Sequence, residues 1–420
     1  MSLLTFTLGS QIVAGAILHA YFVLANLSKV KFSSQTTSLC VFFTSSALII
    51  FSEYISLEIL LFVVALLSGV YSSLRYGASR GSRWANRLAL AAVLAYVAIW
   101  FVYKYPYDIS RYVAWLQPFA TYTSTFTEQF AFVGVSYIGF KVIHFYIDYR
   151  EGNIRDASWV SVLAWLFFVP SLVAGPIHRF QDWRVGCPDQ AMIWENFAVA
   201  ATRITIGLLK VVVISSALSN LSVATLSEYQ ITTVGGGTLA IGIVCYTIAL
   251  YFNFSGYTDI AIGIGRLWNQ RLPENFNYPF FRRNLQEFWQ CWHMSLIALL
   301  REYVYTRVAV AVSRSDWFSP KSIGPAAIAL LATFLAAAFW HKATVGYAIW
   351  GLLNAAGLIF LVYLQRTKLA KSSWGRWWKT SGIGAVCGAL LTFAFVNFSF
   401  LFIALDDQKL ALLAKRVFGQ

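Results

Sequence analysis

From Thr380 to Leu405 the chain carries no charged side chain, and apolar stretches of similar length recur along its 420 residues. A backbone surrounded by hydrocarbon must satisfy its own N–H and C=O groups, so such stretches fold as helices packed within a bilayer. With ~20 apolar residues needed per crossing, roughly ten or eleven spans are expected, near 9–28, 37–52, 56–74, 88–103, 131–148, 157–175, 199–218, 234–264, 322–340, 343–364 and 381–405. Composition agrees, at 58% hydrophobic and 12% charged residues, where soluble domains are nearer ~25% charged. The segment Met1–Phe6 has no basic region and leads into an apolar stretch long enough to span. A retained helix is therefore expected there in place of a cleaved signal. The expected fold class is all-α, a polytopic integral membrane protein in one domain over residues 1–420, with no linker or repeat dividing it.

The net charge of +14 is spread over separate interhelical loops. Arg75, Arg80, Arg83 and Arg87 share one, Arg366, Lys368, Lys371, Arg376 and Lys379 share another, and Lys29 and Lys31 follow the first span. The positive-inside bias puts all three in the cytoplasm and the N-terminus outside. Cations dispersed in this way form no nucleic-acid-binding face. Five cysteines (Cys40, Cys187, Cys245, Cys291, Cys387) lie far apart without CxxC spacing, so neither a metal site nor a disulfide framework is expected. Residues 104–130 and 176–198 mix aromatic and polar groups as interfacial segments do. In 279–300, Phe281, Leu285, Phe288, Trp292, Leu296 and Leu299 recur at three- and four-residue steps. That spacing predicts one amphipathic helix starting near Pro279, with Arg283 and Glu287 an i,i+4 pair. The cationic excess of 301–321 predicts a cytoplasmic position.

Two histidines sit beside tryptophans in this apolar setting, His293 after Trp292 and His341 after Trp340. Imidazole titrates near neutrality and suits taking a proton from a hydroxyl, and an ionisable group at membrane depth is by default a candidate functional site. The spans ending near 340 and starting near 343 leave almost no loop, so His341 is expected at a tight helical hairpin or a broken helix. Such backbone is tolerated only where protein or a water-filled cavity surrounds it. An interfacial histidine held by Trp340 and a base in a cavity both fit this placement. His293 also fits two roles, a packing residue and a catalytic one. His144 and Asp148, one helical turn apart, fit a dyad or, since Asp148 opens the charged loop 148–152, more readily a cytoplasmic helix-end cluster, and His178 beside Gly175-Pro176 reads as part of a turn, with Arg179 able to meet an anion. The segment Gly134–Gly139 misses the G-x-S-x-G elbow by one residue, and P-loop, H-E-x-x-H and dinucleotide fingerprints are lacking. Base-assisted chemistry in a membrane cavity remains. A transporter or flippase of a glycan precursor is the other class, but transporters carry paired broken helices, and only the break at His341 is evident in the sequence.

Asn253-Phe-Ser-Gly-Tyr-Thr-Asp-Ile-Ala-Ile-Gly263, Leu272-Pro-Glu-Asn-Phe-Asn-Tyr-Pro-Phe280, Glu287-Phe-Trp-Gln-Cys-Trp-His-Met-Ser-Leu296 and Arg301-Glu-Tyr-Val-Tyr305 follow one another in an order and spacing that resemble the bacterial membrane-bound O-acyltransferases. Gly134-Val-Ser-Tyr137 with Asp148, Gly175-Pro-Ile-His-Arg179, and Phe339-Trp-His-Lys-Ala-Thr344 with Trp350-Gly351 extend the resemblance over about residues 130–365. It implies a ring of membrane helices around a thin centre, with His341 as principal active-site histidine and His293 as the second. Candidate substrate-binding residues are Lys342, Trp292, Trp340, Asn277 and Arg301. It also implies O-acyl transfer in a bacterial cytoplasmic membrane, with no tightly bound cofactor. The donor would be an acyl thioester, acyl-CoA or an acyl carrier protein, arriving from the cytoplasm. The acceptor would be a hydroxyl of an envelope glycan or teichoic acid outside, where an extracytoplasmic acyltransferase is a possible partner. The segments Trp292-His-Met-Ser295 and Arg301–Arg307 look closer to D-alanyl-teichoic-acid transferases than to alginate O-acetyltransferases, whereas Gly175–Arg179 also suits polysaccharide acetylases. Acetyl and D-alanyl both stay open. Two positions depart from the family pattern: Lys342 stands where Gly is usual and Cys291 where Arg is usual. A lysine beside the base opposes a second positive charge there and adds a cation able to hold an oxyanion or an anionic acceptor.

Overall fold

The computed structural model describes residues 20, 34–51, 57–80, 82–105, 109–110, 112–118, 121, 134–155, 157–172, 175–183, 190–315, 317–319 and 322–419. The expected first span, Lys29, Lys31, Cys187 and most of segment 104–130 lie outside the described residues. Those residues are helices and turns with one isolated antiparallel bridge, Phe276 to Trp292. Six described helical segments are long and apolar enough to cross a membrane: Arg83–Phe101, Met192–Asn220, Gly236–Leu267, Gly324–His341, Val345–Arg366 and Gly382–Ala404. They match six of the expected spans. Three further expected spans fall on the helices Ser34–Phe51, Leu57–Arg80 and Val135–Arg150, and the one expected at 157–175 is broken. The chain separates into two units, residues 1–208 with 256–273, and residues 209–255 with 274–420.

The first unit contains α1 (Ser34–Phe51), α2 (Leu57–Arg80), α3 (Arg83–Lys104), α4 (Val135–Arg150), α5 (Trp159–Leu166) and α6 (Gln190–Leu208). Ser82 opens α3 by accepting the Ala85 N–H, and Tyr96 donates its hydroxyl to the Val135 carbonyl at 2.9 Å, tying α3 to the start of α4. The predicted span 157–175 stops as a helix at Leu166 and continues through a 3₁₀ turn at Val169–Ser171. Pro170 lacks the N–H that an α-helix would need there. The freed carbonyls, which cost free energy if left dry, are met by the buried Lys141. Its ammonium donates to Trp165 O (2.9 Å), Leu166 O (3.4 Å) and Ser171 Oγ (3.0 Å). Gly175 closes the turn because a Cβ there would lie 2.3 Å from Pro170 O. The sequence shows a single break, at His341; the structure adds this one and another at His293, so counting breaks no longer argues against a transporter.

In the same unit Arg203 of α6 pairs with Asp259, near the end of α7 (Gly236–Leu267). Asp259 is 6% exposed, and removing Arg203 takes a paired cation away from a buried carboxylate. Arg203→Ala should therefore cost on the order of 3 kcal/mol, read as a lowered thermal midpoint of the purified protein in detergent. Adding Asp259→Asn should restore part of the loss, and an unchanged midpoint in the single variant would mean the pair contributes nothing to stability.

The second unit contains the first part of α7, α8 (Leu285–Cys291), α9 (Met294–Leu300), α10 (Thr306–Ser313), α11 (Gly324–His341), α12 (Val345–Arg366), α13 (Gly382–Ala404) and α14 (Asp407–Phe418). A π-helical turn at Arg301–Tyr305 joins α9 to α10. Asp406 caps α14 by accepting the Lys409 N–H at 2.9 Å. Arg416 then donates to the carbonyls of Ile231 and Val234 at 2.8 and 2.6 Å, which are orphans at the end of the short helix Glu228–Thr233.

Candidate active site

The expected single amphipathic helix over 279–300 is two short helices. Asn284 starts α8 by accepting the Glu287 N–H at 2.9 Å. Glu287 returns the favour, its Oε1 taking the Asn284 amide at 2.7 Å and its Oε2 the Arg283 N–H at 3.2 Å. Arg283 thus meets Glu287 through its backbone, and the expected i,i+4 ion pair is replaced by a helix cap. After Cys291 the chain extends at Trp292 (φ −112°, ψ 128°) and turns left-handed at His293 (φ 46°, ψ 50°) before α9 begins. The cause is the incoming segment 275–277. Asn277 N–H bonds Cys291 O at 3.0 Å, Phe276 bridges Trp292, and Met294 N–H bonds Asn275 O at 2.9 Å. A left-handed non-glycine residue costs about 1–2 kcal/mol, and the pairing on both sides holds it there.

The break carries the His293 ring into the interior, where it is 3% exposed. Phe254 meets it edge-on at 4.6 Å between ring centres, Trp340 at 6.1 Å and His341 at 6.4 Å. Burial first, and the neighbouring His341 second, hold the His293 imidazole well below its usual pKa, so it is neutral at physiological pH. Its Nε2 is buried with no hydrogen-bond partner among the described residues.

His341 ends α11, and only Lys342, Ala343 and Thr344 separate it from α12. Thr344 caps α12 by accepting the Tyr347 N–H, and Gly351 lets the two helices close, since a Cβ there would lie 2.9 Å from Phe334 O. The expected tight hairpin is therefore present. His341 is exposed at its tip. Tyr347 stacks on it at 5.9 Å, Trp350 meets it edge-on at 6.0 Å, and Trp340 lies at 4.5 Å. Trp350 is held through Asn354, which donates to Trp350 O at 2.9 Å and accepts the Trp289 indole N–H at 3.2 Å. One exposed and one buried imidazole thus stand together behind an aromatic wall.

His341, His293 and Trp340 converge. Lys342 follows directly, its N–H spent on Ala338 O and its side chain exposed. Trp292 is a packing residue, stacked on Phe288 at 5.5 Å and edge-on to Phe400 at 5.3 Å. Asn277 reaches the break through its backbone while its side chain is exposed. Arg301 stands past the far end of α9, eight residues from His293, or about 12 Å of helix. Sequence reasoning missed Asn275, Tyr347 and Asn354. The last had a usable signal, a lone amide inside the charge-free segment 343–364. In the first unit, His144 lies edge-on to Trp165 at 5.1 Å and Asp148 accepts the Gln181 amide at 2.7 Å. His178 is enclosed by Trp165, Phe168 and Trp183, and burial keeps it well below its usual pKa. Among the described residues no three His, Cys, Asp or Glu side chains could together hold a metal ion.

The family model for the membrane-bound O-acyltransferase family matches residues 109–404. The chain is 30% identical over 296 residues to a protein named as a probable alginate O-acetylase from Pseudomonas aeruginosa, covering 70% of this chain and 55% of that one. It is 24% identical over 309 residues to a teichoic acid D-alanyltransferase from Streptococcus thermophilus, covering 72% and 70%. It is 30% identical over 254 residues to a peptidoglycan O-acetyltransferase from Helicobacter pylori, covering 58% and 44%. The chain spans about half the length of the acetylase relatives it matches. Identity is higher to the alginate O-acetylase than to the D-alanyltransferase, the reverse of the order suggested by Trp292–Ser295 and Arg301–Arg307.

Proposed function

The chain belongs to the membrane-bound O-acyltransferase family, and we propose that it transfers an acetyl or D-alanyl group from an activated donor to a hydroxyl of a cell-envelope polymer at the hairpin tip. The observation that carries this is the exposed His341 with the buried, neutral His293 ring 6.4 Å away. His341 takes the proton of the acceptor hydroxyl as that oxygen bonds to the acyl carbonyl carbon. When the carbon–sulfur bond of a thioester donor breaks, the protonated histidine returns the proton to the departing thiolate. General-base assistance of this kind is worth ~10²–10⁴-fold. His293, neutral and with Nε2 unengaged, orients a reactant or donates a hydrogen bond to the oxyanion. The donor, acyl-CoA or an acyl carrier protein, enters from the cytoplasm, and the acceptor glycan or teichoic acid from outside the bacterial cytoplasmic membrane, with an extracytoplasmic acyltransferase as a further partner.

Cells carrying the chain and fed labelled acetate or labelled D-alanine should build one of the two into alkali-labile linkage on envelope polymer. Incorporation of neither would overturn the proposal. The direction of transfer rests on the basic loops. Single cysteines at Ser82 and Ser373, in a cysteine-free background, should resist an impermeant thiol reagent in intact cells and react after lysis; labelling of both from outside would reverse the donor side. Lys342, as an exposed cation next to His341, suits an anionic acceptor. Lys342→Met should raise the acceptor KM several-fold with little change in kcat, and the difference should shrink with added salt. An unchanged KM would remove Lys342 from acceptor binding.

A further inference from the structure

α9 begins at His293, yet the histidine does not cap its own helix: no side-chain hydrogen bond runs from it to the first turn. The first N–H groups of a helix have no partner within it, and a buried helix start needs one from elsewhere. Here it comes from a residue eighteen positions earlier. Asn275, fully buried at 0% exposure, accepts the Met294 N–H on its backbone oxygen at 2.9 Å. Its side-chain Oδ1 accepts the Ser295 N–H at 3.2 Å and the Ser295 hydroxyl at 2.6 Å. One asparagine therefore satisfies two successive N–H groups on the C-terminal side of the left-handed residue, while Asn277 N–H fixes the chain on its other side through Cys291 O.

We propose that Asn275 is a positioning residue for His293, capping α9 in the histidine's place so that the imidazole is left to face His341 and the reacting groups. An ordinary N-cap side chain folds back on its own helix. With the cap supplied from residue 275, the residue at the break can be a histidine directed elsewhere, and the left-handed backbone that aims it is clamped on both sides. Loss of the Oδ1 clamp lets the first turn of α9 fray and the ring swing, and a misplacement of about 1 Å costs on the order of 10²-fold in rate.

This assignment rests on the role given to His293 above, and a two-residue cycle separates the two. The readout is the initial rate at which envelope polymer gains alkali-labile acyl ester in cells whose own copy is replaced by each full-length variant, divided by the variant's level in the membrane. Asn275→Ala should lower the rate by about 10–100-fold. Asn275→Asp, which keeps an acceptor oxygen at the same place, should recover most of it. In a His293→Ala background Asn275→Ala should have little further effect, because a positioning residue acts only through what it positions. An equal fold-loss in both backgrounds, or a wild-type rate for Asn275→Ala, would overturn the assignment. A wild-type rate for His293→Ala would instead remove the role of His293, and with it the purpose of the clamp. Should Asn275→Ala fail to accumulate, Ser295→Ala carries the same cycle. It removes the 2.6 Å bond and should cost about threefold to tenfold, again only when His293 is present.

Discussion

His341→Ala is expected to lower acyl transfer by ~10²–10⁴-fold while the protein still accumulates in the membrane. The side chain lies at the exposed tip of the α11–α12 hairpin, against Trp340, Tyr347 and Trp350. Truncating it leaves no closed cavity, and the hairpin keeps its Thr344 cap and its Gly351 contact. Stability and activity should therefore separate. Rate per unit of membrane protein falls, and the detergent melting temperature moves little. A well-expressed alanine variant that acylates at the wild-type rate would exclude His341 as the base.

His293→Ala should cost ~10²–10³-fold if the ring donates to the oxyanion, and here stability should fall too. The ring is buried against Phe254 at 4.6 Å, so its removal opens a cavity of the kind that destabilises a core by about 2 kcal/mol or more. His293→Gln offers a neutral amide in a similar volume. Because burial keeps the imidazole neutral, an amide donor should retain more activity than alanine does. A rate within a few-fold of wild type for the well-accumulated alanine variant would place His293 among the packing residues, alongside Trp292.

The six long apolar helices were legible because strongly apolar runs of that length, with few charges, have few alternatives. The hairpin at His341 was legible for a related reason, since too few residues separate two helical runs to form a loop. Apolar length misled at 157–175 and periodicity at 279–300, where the backbone leaves the helix and distant groups compensate. Lys141 takes the carbonyls freed before Pro170, and Asn275 takes the N–H groups freed after His293. Neither partner is near in sequence, so no local pattern announces the break. Trp292 and Arg301 were candidates through the resemblance; the left-handed turn puts Trp292 into an aromatic stack, and Arg301 stands beyond α9. Asn275 and Asn277 stand two residues apart in one motif, and which of them is buried depends on the bridge between Phe276 and Trp292.

An acyltransferase changes the ester content of a polymer, whereas a transporter changes how much polymer there is. The most direct measurement is therefore alkali-labile acyl ester per unit of envelope polymer, together with total polymer, in cells lacking the chain and in cells given back either the wild type or His341→Ala. Ester per polymer should collapse on deletion with polymer yield unchanged, return with the wild type, and stay low with His341→Ala. Polymer yield that falls on deletion while its ester content holds steady would contradict acyl transfer and point to export of a precursor instead.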